Sequence, residues 1–535
     1  MFKRLYHCWI ISRSGIFDPN YYLLNYPDVR KADINPLWHF VKYGWKERRN
    51  PTGYFDTKFY IENNPDVLLK DINPLVHYIK FGLKEGRKPR PVVENSLFDT
   101  NKEFKNVYPL DLPHASADVD IEEIKQIDAV VSVIIPTKNG GDEFEFLLKM
   151  LINQIGIKDI EIVIVDSGSQ DKTLSLAIDY GAKVITIPSE KFSHSFSRNL
   201  GAENATGDYL LFTVQDALPP TKTWLYELLT VLIKNDVSAV SCAEMPRENA
   251  DLFYRVISWN HYKFLGVLEN DRVFSLPENS DHLTLRKNGQ LSDLACLIRH
   301  DLFMQYKYRL NYAEDLDLGI RLIKDGHKLA FLGSIRIIHS HNRSAFYFLK
   351  RGYVDNLFLS DIFSDFIIPR INIKDLVPAI IFNYNFLNQE VIEKAENLEL
   401  PIKTEELISF IENAIISRQD YKSPLKIPDD DIEYINQQLF NFLKDLINIY
   451  PQSKIDSNQG DILIQPLMGY LQITFDYLRG TYEIIDKPLL EELKSCLVKE
   501  FSILIGAYLA YCYLNSTSIE KNSLNILHNL LADGI

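Results

Sequence analysis

Hydrophobic and polar positions change rhythm three times along this chain. In the first ninety residues the pattern repeats itself at a constant offset of 38 positions. Phe17-Asp18 returns as Phe55-Asp56, Pro27-Asp28-Val29 as Pro65-Asp66-Val67, and Asp33-Ile34-Asn35-Pro36-Leu37 as Asp71-Ile72-Asn73-Pro74-Leu75. His39, Gly44 and Lys46-Glu47 return as His77, Gly82 and Lys84-Glu85. Each unit reads as two short helices, the first capped by Asp18 or Asp56 and the second opening on Asn-Pro and ending at glycine. Units of this size bury one another's apolar faces. His39 and His77 are expected to pack or cap.

The second rhythm begins at residue 129. Ala129 to Pro136 is a continuous apolar run, the pattern of a strand buried on both faces. Phe144, Leu147, Leu148, Leu151, Ile152 and Ile155 follow at helical spacing behind Asp142. Strands are predicted over 160–165, 183–187 and 209–213, with helices over 171–180 and around Arg198. This alternation predicts a parallel α/β sheet with right-handed crossovers. Beyond about residue 355 the strand signal fades, and helices are predicted over 430–450, 465–482 and 489–514. The expected division is a helical repeat domain at 1–90 (units 17–51 and 55–89), a proline-bearing linker at 91–128, an α/β domain at 129–355 and an all-α domain at 356–535.

A chain of 535 residues exceeds one core, in keeping with several domains. Its net charge of −14 argues against nucleic acid as a partner, because phosphate binding needs a basic face. The five cysteines show no CxxC spacing, which argues against zinc and for a reducing, cytoplasmic setting. Residues 1–11 make a poor signal peptide. The apolar run 501–514 is shorter than a membrane span and reads as a buried helix. Contact with the inner face of a membrane or with a partner enzyme through the helical flanks is compatible with this.

Ligands of an open parallel sheet sit beyond the carboxyl ends of its strands. Four segments fall there: Pro136-Thr137-Lys138-Asn139, Asp166-Ser167-Gly168-Ser169, Val214-Gln215-Asp216-Ala217, and Glu314-Asp315 at a helix start. His339-Ser340-His341 closes the strand after that helix. There is no GxGxxG or GxxxxGK[ST] loop, which removes support from dinucleotide oxidoreductases and P-loop kinases. Taken singly, each group has a plainer reading. Asp166 can cap a turn, Glu314-Asp315 can answer a helix dipole, Arg198 can be an ion pair, and Asp317 can face solvent. His194 reads equally as a loop anchor or a ligand contact.

Together, Ile-Ile-Pro-Thr-Lys-Asn, Val-Asp-Ser-Gly-Ser-Gln-Asp, Arg-Asn-Leu-Gly-Ala, Gln-Asp-Ala-Leu-Pro-Pro and Ala-Glu-Asp-Leu-Asp-Leu-Gly resemble family-2 glycosyltransferases of the GT-A fold, a Rossmann-like, mostly parallel sheet. The run Phe192 to Asn199, followed by Gln215-Asp216-Ala217, is most similar to bacterial rhamnosyltransferases of surface-polysaccharide clusters, the O-antigen class included. The resemblance covers roughly residues 129–355. The N-terminal repeats also resemble modules attached to bacterial glycosyltransferases.

The resemblance implies an inverting transferase that moves a sugar from a nucleotide donor, dTDP-rhamnose first, to a surface-glycan acceptor, lipid-linked glycans included. A UDP-hexose or UDP-N-acetylhexosamine donor is the second choice, and a non-catalytic glycan-assembly scaffold is the rival from another class. A nucleotidyltransferase is disfavoured because Pro136 to Gly141 has no glycine-rich basic loop. Asp315 would be the general base, poised by Glu314. Pro136, Thr137, Asn139, Asp166, Arg198, Gln215 and Asp216 would hold nucleotide and donor. Asp216, with His339 or His341, would hold Mg²⁺ or Mn²⁺, which offsets charge on the departing diphosphate. Val214 stands where the family's Asp-x-Asp motif has its first acid.

Overall fold

A computed structural model describes residues 2–14, 17, 19–32, 34–52, 55–69, 72–82, 87, 124–268, 270–425, 427, 437–452, 454–455 and 457–532. Asp18, Asp33, Lys84-Glu85, most of the expected linker and the start of the helix expected from residue 430 lie outside these. The chain forms two compact units, Met1–Lys105 and Asn106–Ile535.

In the first unit each repeat builds three short helices rather than two. They are Pro19–Asn25, Pro27–Lys31 and Pro36–His39, then Thr57–Asn63, Pro65–Leu69 and Pro74–His77. Pro27 and Pro65 open a helix of their own, because proline suits a first helical turn and breaks a preceding one. The last helix runs into a π turn, Phe40–Gly44 or Tyr78–Gly82. Asn35 and Asn73 cap the third helices through their side-chain oxygens. The repeat histidines are buried, and each meets a buried tyrosine hydroxyl: Tyr22 Oη to His39 Nδ1 at 3.1 Å, Tyr60 Oη to His77 Nδ1 at 3.0 Å. Gly44 and Gly82 are dictated by the same tyrosines, since a Cβ at either would run into the hydroxyl. The packing role expected of both histidines is what these contacts give.

The second unit is built on an eight-stranded sheet. Its strands are β1 (Ile127–Thr137), β2 (Ile157–Asp166), β3 (Lys183–Thr186), β4 (Tyr209–Phe212), β5 (Ala239–Met245), β6 (Arg272–Phe274), β7 (Cys296–Arg299) and β8 (Leu329–Ile338). The order is β3-β2-β1-β4-β7-β5-β8-β6. Strands β6 and β7 pair antiparallel to their neighbours, and the pairs β1–β2, β2–β3, β1–β4 and β5–β8 are parallel. Six strands therefore point their carboxyl ends to one edge. Helices Gly141–Ile152 and Trp224–Lys234 cover one face, with Leu147, Leu151, Leu228 and Val231 against Val131 and Val133. Helices His194–Glu203, Leu252–Leu265 and Glu314–Lys324 cover the other, over Ile134, Phe212 and Phe331. The sheet is thus mostly parallel and sandwiched, as expected. Antiparallel β7 at its centre was not legible from its four residues.

The helical C-terminal region shares its core with the α/β part. Leu252, Phe253, Phe348 and Leu349 pack in one cluster with Phe382, Leu471, Phe501 and Ile505. The boundary expected at 355 falls inside a continuous helix, Ala345–Ile362. That helix crosses Lys487–Asn515 closely enough that a Cβ on Gly352 would enter the Ile503 carbonyl, and one on Gly506 the Leu349 carbonyl. Lys487–Asn515 is long and apolar enough to cross a membrane, but 72% of its most apolar window is buried in protein. This matches the buried helix read from the run 501–514.

Gly506→Ala should therefore overpack this crossing and cost about 1–3 kcal/mol. Gly469→Ala, in helix Ser457–Thr481 with open space around it, should instead gain roughly 0.5–1 kcal/mol of helix stability. Denaturant midpoints of the two variants should move in opposite directions.

Candidate active site

The end of β4 and the end of β8 are drawn together by a two-hydrogen-bond bridge. Leu218 N donates to Ile338 O and Ile338 N to Leu218 O, each at 2.9 Å. This sets Asp216 against His339 and His341. One ligand-type atom from each lies within 4.8 Å of the others. Asp216 Oδ2 is 3.2 Å from His341 Nε2, Asp216 Oδ1 is 3.8 Å from His339 Nε2, and the two Nε2 atoms are 3.2 Å apart. Burial pushes the His341 imidazole down to about 4, against the pull of Asp216, so it is neutral and its lone pair is free near pH 7. Two imidazoles and a carboxylate facing one point fit a divalent cation. The structure brings both histidines, not one of the two, to Asp216. Arg247 braces the two loops, donating to Ser340 O at 3.0 Å and to Asp216 O at 2.5 Å. Val214, in place of a second acid, packs against the sheet core instead.

The strand order reverses between β1 and β4, and the loops flanking this switch point are clamped together. Lys138 N donates to Gln215 Oε1 at 2.9 Å, and Gln215 Nε2 returns a bond to Lys138 O at 3.2 Å. Asn139 takes a left-handed φ of 50°, which asparagine tolerates, and its N–H donates to Ser169 Oγ at 2.8 Å. Its Oδ1 accepts from Gln170 N at 2.8 Å. Thr137 is buried and donates to Asp166 at 3.2 Å, and Pro136 lies half-buried one residue before it. Asp166 is fully buried. It also accepts from Gly168 N and Ser169 N, each at 2.9 Å, and from Ser169 Oγ. Four donors occupy a carboxylate that offers about four acceptor sites. Asp166 thus shapes the turn, and the expectation that it touches the nucleotide finds no free acceptor to stand on.

Arg198 departs from its expected place as well. Its side chain is fully buried, bonded to Glu314 Oε1 and, at 3.2 Å, to Asp293 Oδ2. It has no exposed surface to offer a diphosphate, and Glu314 is tied to it. Helix His194–Glu203 is locked to the preceding loop of the Glu314 helix by Ser195 Oγ to Leu310 O and by Asn199, which exchanges bonds of 2.8 and 3.1 Å with the Tyr308 backbone. Arg321 holds the same loop at Tyr306 O and Lys307 O, and is paired in turn with Asp317 at 2.8 Å. These ties hold Ala313 in a left-handed conformation, φ 45° and ψ 38°, just before Glu314, a strain of roughly 1–2 kcal/mol for a residue with a Cβ. Asp315 follows at the helix start.

Burial opposes ionisation of Asp293, yet Arg198, then His194 and His339, outweigh it and hold its carboxyl below the usual range. Asp315 goes the other way. Burial first, then the charges of Asp293 and Glu314, push its carboxyl well above the usual range. Burial and the Arg198 charge hold His194 down, and its Nδ1 has no partner. Asp293 lies against Arg198 and adds to the rise at Asp315. Sequence reasoning did not single out Asp293, Glu244, Arg247 or Tyr254. Only their nearness to strand ends marks them.

The profile of glycosyl transferase family 2 matches residues 132–291. An O-antigen chain rhamnosyltransferase of Salmonella anatum is 26% identical over 221 residues, covering 39% of this chain and 66% of its own. One from Salmonella typhimurium is 25% identical over 219 residues, covering 40% and 67%. The chain thus spans about two thirds of the length of these relatives. Among solved structures, a mannosyltransferase of Pyrobaculum calidifontis, in complex with GDP-mannose and Mn²⁺, is 15% identical. That match covers 74% of this chain and 90% of the other at a TM-score of 0.34. Sheet, strand-end acids and profile agree that the chain carries a glycosyltransferase domain of family 2.

Proposed function

We propose that this protein is an inverting glycosyltransferase that moves a sugar, rhamnose from a dTDP donor first, to an acceptor hydroxyl of a bacterial surface glycan. The observation that carries the reading is the convergence of Asp216, His339 and His341 from two distant chain segments. A bound divalent cation would supply positive charge where the diphosphate leaves. The donor set, two imidazoles to one carboxylate, suits Mn²⁺ better than Mg²⁺. Asp315 takes the acceptor proton. Its raised proton affinity suits it to that task, because a base works best with a pKa near the working pH. The choice of rhamnose rests on the relatives, since Asp166 leaves no free acceptor for a base.

The test is release of nucleoside diphosphate from a panel of sugar nucleotides, with Mn²⁺, with Mg²⁺ and with a chelator. Release from dTDP-rhamnose, fastest with Mn²⁺, is the expected result. No release from any donor would favour a scaffold. Asp315→Asn should lower kcat by about 10²–10⁴ while leaving donor binding in place. A raised pKa keeps Asp315 protonated, and inactive as a base, until the pH rises past it. The acid limb of kcat/KM should therefore lie above the ordinary carboxylate range. Asp293→Asn removes a neighbouring negative charge and should shift that limb to lower pH.

A further inference from the structure

A histidine serves as a ligand through one ring nitrogen only if its proton is kept on the other. His339 turns Nε2 toward Asp216 and His341, so its Nδ1 has to carry the proton. Two groups wait at Nδ1. The Tyr254 hydroxyl lies 3.2 Å away and Glu244 Oε2 3.4 Å away, and the hydroxyl donates to that same Oε2 at 2.8 Å. The ring N–H donates to the tyrosine oxygen, which donates onward to the carboxylate. Glu244 ends β5, is 9% exposed, and its backbone N–H is held by Tyr262 Oη at 2.8 Å.

Tyr254 is fixed in turn. It lies in the first turn of helix Leu252–Leu265, where its N–H donates to the capping Asp251 Oδ1 at 2.9 Å. Asp251 N donates to Asn342 Oδ1 at 2.9 Å, one residue past His341. The other oxygen of Asp251 accepts from Lys499 Nζ at 2.5 Å, and Lys499 is buried in helix Lys487–Asn515. One residue therefore holds both: the Asp251 carboxylate caps the tyrosine that orients His339, its backbone N–H ties the loop that carries His341, and a lysine of the C-terminal helices holds the carboxylate.

We propose that Tyr254 and Glu244 are positioning residues of the cation site, fixing His339 to present Nε2, and that Lys499 sets them from the C-terminal helices through Asp251. This rests on the metal reading above. Mn²⁺ binding to the full chain, followed by electron paramagnetic resonance with its imidazole-nitrogen coupling, tests it without turnover. Tyr254→Phe and Glu244→Leu should weaken Mn²⁺ binding about ten- to a hundredfold, the usual effect of removing an outer partner of a ligand. Glu244→Gln, which keeps an acceptor oxygen, should recover part of the loss. Lys499→Met should weaken binding to a smaller degree. Glu500→Gln, one position along the same helix, should bind as the wild type does, because burial already lifts that carboxyl to about 8 and keeps it neutral. A wild type that binds no Mn²⁺ overturns the metal reading and the relay together. A wild type that binds, with Tyr254→Phe and Glu244→Leu binding equally well, overturns the relay alone. Loss in those two but none in Lys499→Met removes the C-terminal arm.

Discussion

A guanidinium with no exposed surface has to have its charge answered inside the protein, and the answer Arg198 receives organises one half of the site. Glu314 and Asp293 approach it from two separate segments. Removing Glu314 would leave this buried guanidinium with only the half-exposed Asp293 to answer its charge. The same ion pairing has a chemical consequence. Burial first, and then the negative charge of Asp293 that Arg198 helps keep ionised, make Asp315 reluctant to lose its proton. A requirement of folding thus contributes to the proton affinity of the proposed base.

The other half depends on strand direction. Six strands deliver their ends to one edge, and the Leu218–Ile338 bridge adds the last ångströms that bring Asp216 to the histidines. The missing first acid of the Asp-x-Asp pattern bears on this. Val214 is partly buried against the core, so the segment offers one carboxylate, and two imidazoles from the end of β8 stand beside it. Neutral imidazoles add no charge, so this donor set carries one negative charge. Its nitrogen donors lean toward softer divalent ions than an all-oxygen set would.

Much of this could be read from the residues. Strands β1 and β2 were legible because their carboxyl halves are buried on both faces and dense in Val and Ile. The repeat was legible because its spacing is constant, though the extra helix at Pro27 and Pro65 was not, since a proline reads equally as a stop and a start. Asp166 shows the opposite failure. Asp-Ser-Gly-Ser is turn chemistry in its own right, and the turn, with Thr137 of β1, supplies four donors to the side chain. The ion pairs that bury Arg198 are not legible either, because sequence does not show burial. Asp293, Glu244 and Tyr254 belong to no spaced motif, and only the fold brings them to the site.

The all-α segment was the least legible part, and its place in the unit changes what it is for. A domain that ended at residue 355 would stop within helix Ala345–Ile362 and strip the cover from Phe348, Leu349 and Tyr353. It would also leave Asp251 without Lys499 and Arg255 without Glu492. The asparagine after His341 and the tyrosine beneath His339 both hang from Asp251. The C-terminal helices are therefore a wall of the α/β core, and the residues behind the Asp216–His339–His341 cluster hang from them through Asp251. A glycosyltransferase domain bounded by its recognisable motifs would lack the support that holds those motifs in place.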